Sequence, residues 1–325
     1  MIAPVTAGAH LPPPHPSSVH AAPIFSRLRP ETGMPLLAPD AAALDVWFDA
    51  GARDVRRHGC VRFALDGPWL YGCAELDDAA LDGGLQAAAR RTYGDLFEVL
   101  AAHDQAQLLR LWNYFARINA DDGGTERYRQ FNIGRQQAFI EARHSAFEGA
   151  PAACALGTRS GPLRVYFLAG RRAPVPIENP RQVSAYHYPL AYGPRSPSFS
   201  RAALADIGGG RTAFFISGTA SIVGHASMHI GDVRRQAEES LSNIAALRAI
   251  AGARAGVPFD AGALSYTIYL RRPADLAAVR EVFEREVGPH SAAARDAVYL
   301  QADICRAELL VELEAHGFAH TGGGA

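Results

Sequence analysis

The chain has 325 residues, 48% of them hydrophobic and 20% charged, enough apolar material for one large core or two smaller ones. Its formal charge is −1, so no overall field draws it to nucleic acid or to an anionic membrane surface. Every one of the 32 basic residues is arginine, and without lysine there is no Schiff-base chemistry, no pyridoxal-phosphate anchor and no P-loop lysine.

Four cysteines, Cys60, Cys73, Cys154 and Cys305, are scattered with no CxxC pair, which predicts neither a zinc site nor a disulfide scaffold and fits a reducing cytoplasm. No charged segment followed by an apolar run opens the chain, so no signal peptide is expected. No apolar stretch approaches the roughly 20 residues that span a bilayer. Residues 1–38 are rich in Pro and His without periodicity and read as an irregular tail. Its His10, His15 and His20 read as solvated linker residues rather than metal ligands.

Residues 59–75 predict a hairpin turning at Asp66-Gly67-Pro68. Leu85, Ala89, Tyr93, Leu96 and Leu100 fall at helical spacing, with Asp82 as the expected cap. Residues 107–118 read as a strand, 119–125 as a polar loop and 126–143 as a helix. Residues 152–169 read as two strands around Ser160-Gly161-Pro162, and the Pro-rich stretch 173–197 as a connection. The second half repeats the order. Strands are expected over 212–223, then a helix over 233–251 capped by Asp232, then a strand over 264–271. A helix follows Pro273-Ala274-Asp275 with Leu276, Val279, Phe283 and Val287 on one stripe, and residues 296–315 read as two strands joined near Arg306-Ala307. Each half is therefore β-β-α-β-α-β-β. The expected class is α+β, with an N-terminal unit over 39–178 and a C-terminal unit over 179–325, helices on one face of each sheet.

The second unit resembles the RidA (YjgF-like) family in ISGTASIVG at 216–224, QAEESLSNIAAL at 236–247, TIYLRRPADL at 267–276 and LLVELEA at 309–315. A resemblance to the chorismatases covers nearly all of the chain past residue 100. It rests on LWNYFARIN at 111–119, ERYRQFNIGRQQAF at 126–139, QVSAYHYPLAYGPRSPSFSRA at 182–202, ISGTASIVGHASMHIGD at 216–232 and ADICRAELLVELE at 302–314. The resemblance implies cleavage of chorismate to 3-hydroxybenzoate and pyruvate, with no cofactor and no metal.

Chorismate carries two carboxylates, and arginine is the only permanent side-chain cation in this chain to meet them. Arg135 matches a substrate-binding position implied by the resemblance; read alone it is a helix-surface or ion-paired residue. Tyr128 either donates to a substrate carboxylate or packs in the core. Arg306, Arg285, Arg195 and Tyr188 are further candidates for binding, each with a structural reading beside it: strand alternation turning Arg306 away from Cys305, an exposed helix arginine for Arg285, a plain connector for the other two. Glu312 sits in apolar LLVELEA, where burial would keep a carboxyl protonated; Glu314 lies two residues on, on the same face, each raising the other's pKa. The resemblance implies that Glu312 is the catalytic acid; otherwise it reads as a solvated edge-strand residue. It also implies that Cys305 and Gly218 together mark the benzoate-forming branch, Ala and a larger residue the hydrolytic one. By themselves they read as a small buried hydrophobe and a strand bulge. His187, His225 and His229 are shuttle candidates or structural histidines.

The implied reaction begins with proton transfer from Glu312 to the vinyl carbon and continues with displacement of the pyruvyl group by the neighbouring ring hydroxyl. Competing readings are a bifunctional enzyme giving both 3- and 4-hydroxybenzoate, hydrolysis to a dihydrodiol acid, a RidA-like imine hydrolase and a non-catalytic aromatic-acid sensor. Gly208-Gly209-Gly210 precedes a strand and so is no dinucleotide fingerprint. Two fused units can replace part of a trimer, which makes a monomer compatible with the sequence.

Overall fold

The computed structural model describes residues 32–38 and 54–320. The described elements run β1 (Leu36–Ala38), β2 (Arg56–His58), β3 (Val61–Asp66), β4 (Trp69–Leu76), α1 (Gly84–Ala101), β5 (Gln107–Ala116), β6 (Asp121–Asp122), β7 (Thr125–Glu126), α2 (Arg127–Glu141), β8 (Ala152–Thr158) and β9 (Leu163–Gly170). They continue through β10 (Val175–Ile177), β11 (Ala202–Gly208), β12 (Arg211–Ala220), β13 (Ile222–Val223), β14 (Ala226–Ser227), α3 (Val233–Ala255), β15 (Ser265–Leu270), α4 (Leu276–Val287), α5 (Ala292–Asp296), β16 (Val298–Gln301) and β17 (Val311–His320).

Two main sheets carry the fold, ordered β2-β3-β4-β9-β5-β8 and β1-β16-β15-β17-β12-β11-β10. Both contain the expected β-β-α-β-α-β-β order, and the α+β class holds. Leu85, Tyr93, Phe97, Phe131 and Phe139 of α1 and α2 pack with Phe115 and Phe167 on the outer face of the first sheet. Leu241, Ile244, Val279 and Phe283 of α3 and α4 do the same with Leu313 and Tyr266 on the second. A third core, including Trp69, Tyr114, Tyr166, Phe215 and Tyr269, joins the two inner faces. The layers are thus helices, sheet, sheet, helices. Gly134 is what lets α2 lie so close to α1, because a Cβ there would meet the Gln86 carbonyl oxygen at 2.1 Å.

Several boundaries differ from those expected. Asp82 does not cap α1; Gly83, at φ 90°, occupies the N-cap with no side-chain bond. Asp232 does cap α3, its side chain accepting from the Arg235 amide. Residues 36–38 are not irregular, since β1 pairs with β16 at one edge of the second sheet, and β10 from the connector pairs at the other. Strand β11 has no predicted counterpart because Ala202–Ala205 are buried on both faces and give no alternation. Residues 296–315 are not two joined strands. β16 runs parallel to β15, β17 antiparallel to it, and residues 302–310 form an irregular bend between them. The tail histidines lie outside the described residues. Among the described residues no helix is long and apolar enough to cross a membrane.

Candidate active site

Alternation along β17 sorts its side chains. Val311, Leu313 and Ala315 enter the core under α3 and α4, which leaves Glu312 and Glu314 facing the first sheet. Both carboxyl groups are buried, Glu312 at 3% exposure. Glu312 lies opposite Ala220 on β12, whose register slips between Ile216 and Thr219. That irregularity brings Gly218 against the acid: a Cβ at 218 would stand 1.9 Å from Glu312 Oε1 and 3.0 Å from Cys154 Cβ. The bulge reading and the room-making reading of this glycine therefore describe the same feature.

Glu312 closes one side of a cavity of about 310 Å³, at the lower end of small-molecule sites. Burial first and then the neighbouring Glu314 push its carboxyl up to about 8, against the opposing pull of Arg110 and Arg201. Cys305 Sγ stands 4.0 Å from Glu312 Oε2. Its thiol is pushed up to about 12, by burial first and then by Glu312, so at neutral pH it is a thiol and not a thiolate. Tyr128, on α2, lines the same cavity, and burial holds its hydroxyl above the ordinary range.

Two guanidinium groups face this acid across the cavity. Arg306 lies over the Tyr192 ring at 4.0 Å and donates to the His225 carbonyl and to Ser227 Oγ. Arg201, 5% exposed, donates to the Val183 carbonyl and to the Tyr188 hydroxyl. Among the described residues neither forms an ion pair within 4.0 Å, although the Arg201 charge is felt by Glu178, and Arg306 Nη2 and Arg201 Nε are buried with no hydrogen-bond partner. The cavity thus joins a protonated carboxyl to a pair of cations with spare donors, an arrangement suited to an anionic ligand that needs a proton.

The chain matches the family model described as Chorismatase FkbO/Hyg5-like, N-terminal, over residues 45–169. It is 38% identical to a 3-hydroxybenzoate synthase of Streptomyces hygroscopicus over 312 residues, covering 92% of this chain and 88% of that protein. It belongs to the chorismatase family. A chorismatase of Streptomyces rapamycinicus is 34% identical over 283 residues, covering 85% of this chain and 82% of the relative. A chorismatase crystal structure superposes with a TM-score of 0.74 at 30% identity, covering 91% of this chain and 96% of the other.

Within this chorismatase the expected site residues divide. Glu312, Cys305, Gly218, Tyr128, Tyr188 and Arg306 meet at one cavity. Cys305 and Arg306 sit in the bend and not on a strand, so strand alternation does not separate them. Arg135 is 1% exposed and is not part of the cavity lining; it bonds Asn132 Oδ1 at 2.9 Å, lies over Phe131, and keeps a buried Nε with no hydrogen-bond partner. It is neither a helix-surface nor an ion-paired residue among the described residues. Arg285 is outside the site: it is exposed on α4 and paired with Glu238 of α3 at 2.7 Å. Arg195 is exposed and also outside the cavity lining, because the connector turns at Gly193 and sends it to solvent. His187 and His225 are exposed, and His229 faces Glu239 at 3.4 Å, so none of the three lines the cavity. Sequence reading missed Arg201 and Tyr192. For Arg201 the signal was present: Phe199 and Arg201 stand two apart in an extended approach to β11, so both turn to the same side.

Proposed function

We propose that this chorismatase converts chorismate to 3-hydroxybenzoate and pyruvate, with Glu312 as the general acid. The observation that carries the reading is a carboxyl held protonated near neutral pH in a cavity that faces Arg201 and Arg306. The 38% identity to a 3-hydroxybenzoate synthase supports the same product. Each arginine takes one substrate carboxylate, and Tyr128 and Tyr188 fix the ring between them. The aromatic walls and the narrow volume limit water, which favours intramolecular displacement over hydrolysis.

Glu312 delivers its proton to the terminal vinyl carbon, which becomes the methyl group of pyruvate, and the enol-ether carbon becomes an oxocarbenium ion. The neighbouring ring hydroxyl displaces the pyruvyl group and leaves an epoxide-like intermediate. Ring opening releases a ring proton, which replaces the one delivered, and aromatisation gives 3-hydroxybenzoate. The two products together have the composition of the substrate, so no water, oxidant or reductant is consumed. Cys305, a thiol beside the acid, shapes the ring's position at this step. Four free cysteines and two units in one chain support a cytoplasmic monomer.

The test incubates the full chain with chorismate, couples pyruvate to an indicator dehydrogenase and separates the ring product by chromatography. Equimolar pyruvate and 3-hydroxybenzoate are expected. A dihydrodiol acid would assign hydrolysis instead, mixed 3- and 4-hydroxybenzoate a bifunctional enzyme, and absence of pyruvate would remove the reading altogether.

A further inference from the structure

A buried polar cluster next to the acid is used by no step above. Glu314, 6% exposed, lies two residues beyond Glu312 on the same face of β17. Its Oε2 accepts from Arg110 Nη2 at 2.5 Å, and its Oε1 accepts from Trp112 Nε1 at 3.0 Å and from the Tyr269 hydroxyl at 3.0 Å. Tyr269 in turn meets the Tyr114 hydroxyl at 3.0 Å. Arg110, Trp112 and Tyr114 recur every second residue along β5, so two side chains of the first sheet reach across to the Glu314 carboxylate and a third reaches its Tyr269 donor.

This ligand set is that of an anion: one guanidinium, one indole N–H and one phenol, each of them a donor. Structural economy does not explain it. An ion pair this deep is costly to desolvate, and apolar residues of similar volume would fill an inter-sheet core at least as well. What the pair does achieve is a carboxyl group fixed at one place, on the strand that carries the acid.

We propose that the Arg110–Glu314 pair is a positioning device for the reaction, holding the Glu314 carboxyl group fixed beside Glu312 so that Glu312 enters the reaction as the acid. The groups facing Glu312 are consistent with this role. Arg110 from β5 and Arg201 from the approach to β11 favour its anion, whereas Glu314 on its own strand opposes it and outweighs either one. Cys305 from the bend, Cys154 from β8 and Tyr128 from α2 are all held in their neutral forms by burial. Glu126 of β7 and Arg306 and Glu308 of the bend line the same cavity, but Glu314 is the carboxyl group that weighs on Glu312. The inference rests on Glu312 being the acid.

The experiment is the pH dependence of kcat for pyruvate release by the full chain, with melting temperatures beside it, for wild type, Glu314→Gln and Arg110→Gln/Glu314→Gln. In wild type kcat should fall as pH rises through about 8. Glu314→Gln should lower that limb by about one pH unit, cutting kcat roughly threefold at about pH 7.5 while KM stays within about twofold. Glu314→Gln strands Arg110 without its anion and can fail to fold. The double variant leaves no such orphan and should shift the limb in the same direction by a smaller amount. A folded variant whose limb does not move, even with altered KM or melting temperature, overturns the proposal. So does a double variant that cannot fold, since the pair would then be structural. Infrared titration of the Glu312 carboxyl, with Glu312→Gln as the blank, reads the proton without turnover. A band unmoved by Glu314→Gln defeats the inference, whereas full activity in Glu312→Gln defeats the reading beneath it.

Discussion

Gly218→Ala separates the geometry of the acid from the stability of the fold. A methyl group at 218 would stand 1.9 Å from Glu312 Oε1 and 2.8 Å from its Cδ. Ordinary contact requires the carboxyl to retreat by about 1.5 Å, and a misplacement of even about 1 Å costs up to ~100-fold in rate. The clash falls on the far end of a flexible side chain, and Gly218 does not occupy the left-handed region, so the backbone tolerates alanine. The expected loss of stability is about 1–3 kcal/mol, the usual penalty for one added carbon in a packed site. Coupled pyruvate assays should show kcat down roughly 10- to 100-fold. Because a larger residue at this position is expected in the hydrolytic branch, the residual product should shift toward the dihydrodiol acid. A folded variant with wild-type kcat and unchanged product would refute the placement of Gly218 against the acid.

Burial raises Glu312 from its ordinary 4.5 to about 8. The folded chain therefore holds this proton more tightly than the unfolded one, and the associated stability is complete below pH 4.5 and lost as pH rises through 8. Urea unfolding should show wild type losing on the order of 3 kcal/mol relative to Glu312→Gln between about pH 4.5 and 7; parallel stability curves would contradict this. Arg306→Ala should raise KM for chorismate about 10- to 100-fold, since it removes a charged donor from the cavity. By contrast Arg285→Ala should leave kcat and KM unaltered and change stability by less than about 0.5 kcal/mol, because its ion pair is exposed; a KM shift there would reopen its exclusion from the site. Cys305→Ala should move product toward the dihydrodiol acid, and an unchanged product ratio would remove the thiol from the ring's surroundings.

The element order of both units was legible because helical stripes such as Leu85–Leu100 and alternating strands such as LSYTIYLR carry their own periodicity. Strand β11 was not, since a strand buried on both faces shows no alternation. The acid's surroundings were legible in part. Two glutamates alternating with Val311, Leu313 and Ala315 announce a strand with carboxyl groups on one face, but which layer that face meets depends on the pairing of two sheets 200 residues apart in sequence. The arginines show the limit most clearly. Arg285 and Arg201 are the same residue type, and only tertiary placement leaves one on the surface with Glu238 and the other in the cavity against Tyr188. Irregular segments such as 302–310 give no periodic signal, so Arg306 was expected on a strand and proved to lie in a bend beside Cys305.

The most direct test is pyruvate release by Glu312→Gln at neutral pH, with chorismate binding followed in parallel by tyrosine and tryptophan fluorescence. The glutamine preserves shape and hydrogen bonding but has no proton to give. Binding should persist while kcat falls by at least about 1,000-fold, within the range for loss of a general acid. Turnover within about tenfold of wild type would place the proton source elsewhere in the cavity and contradict the account.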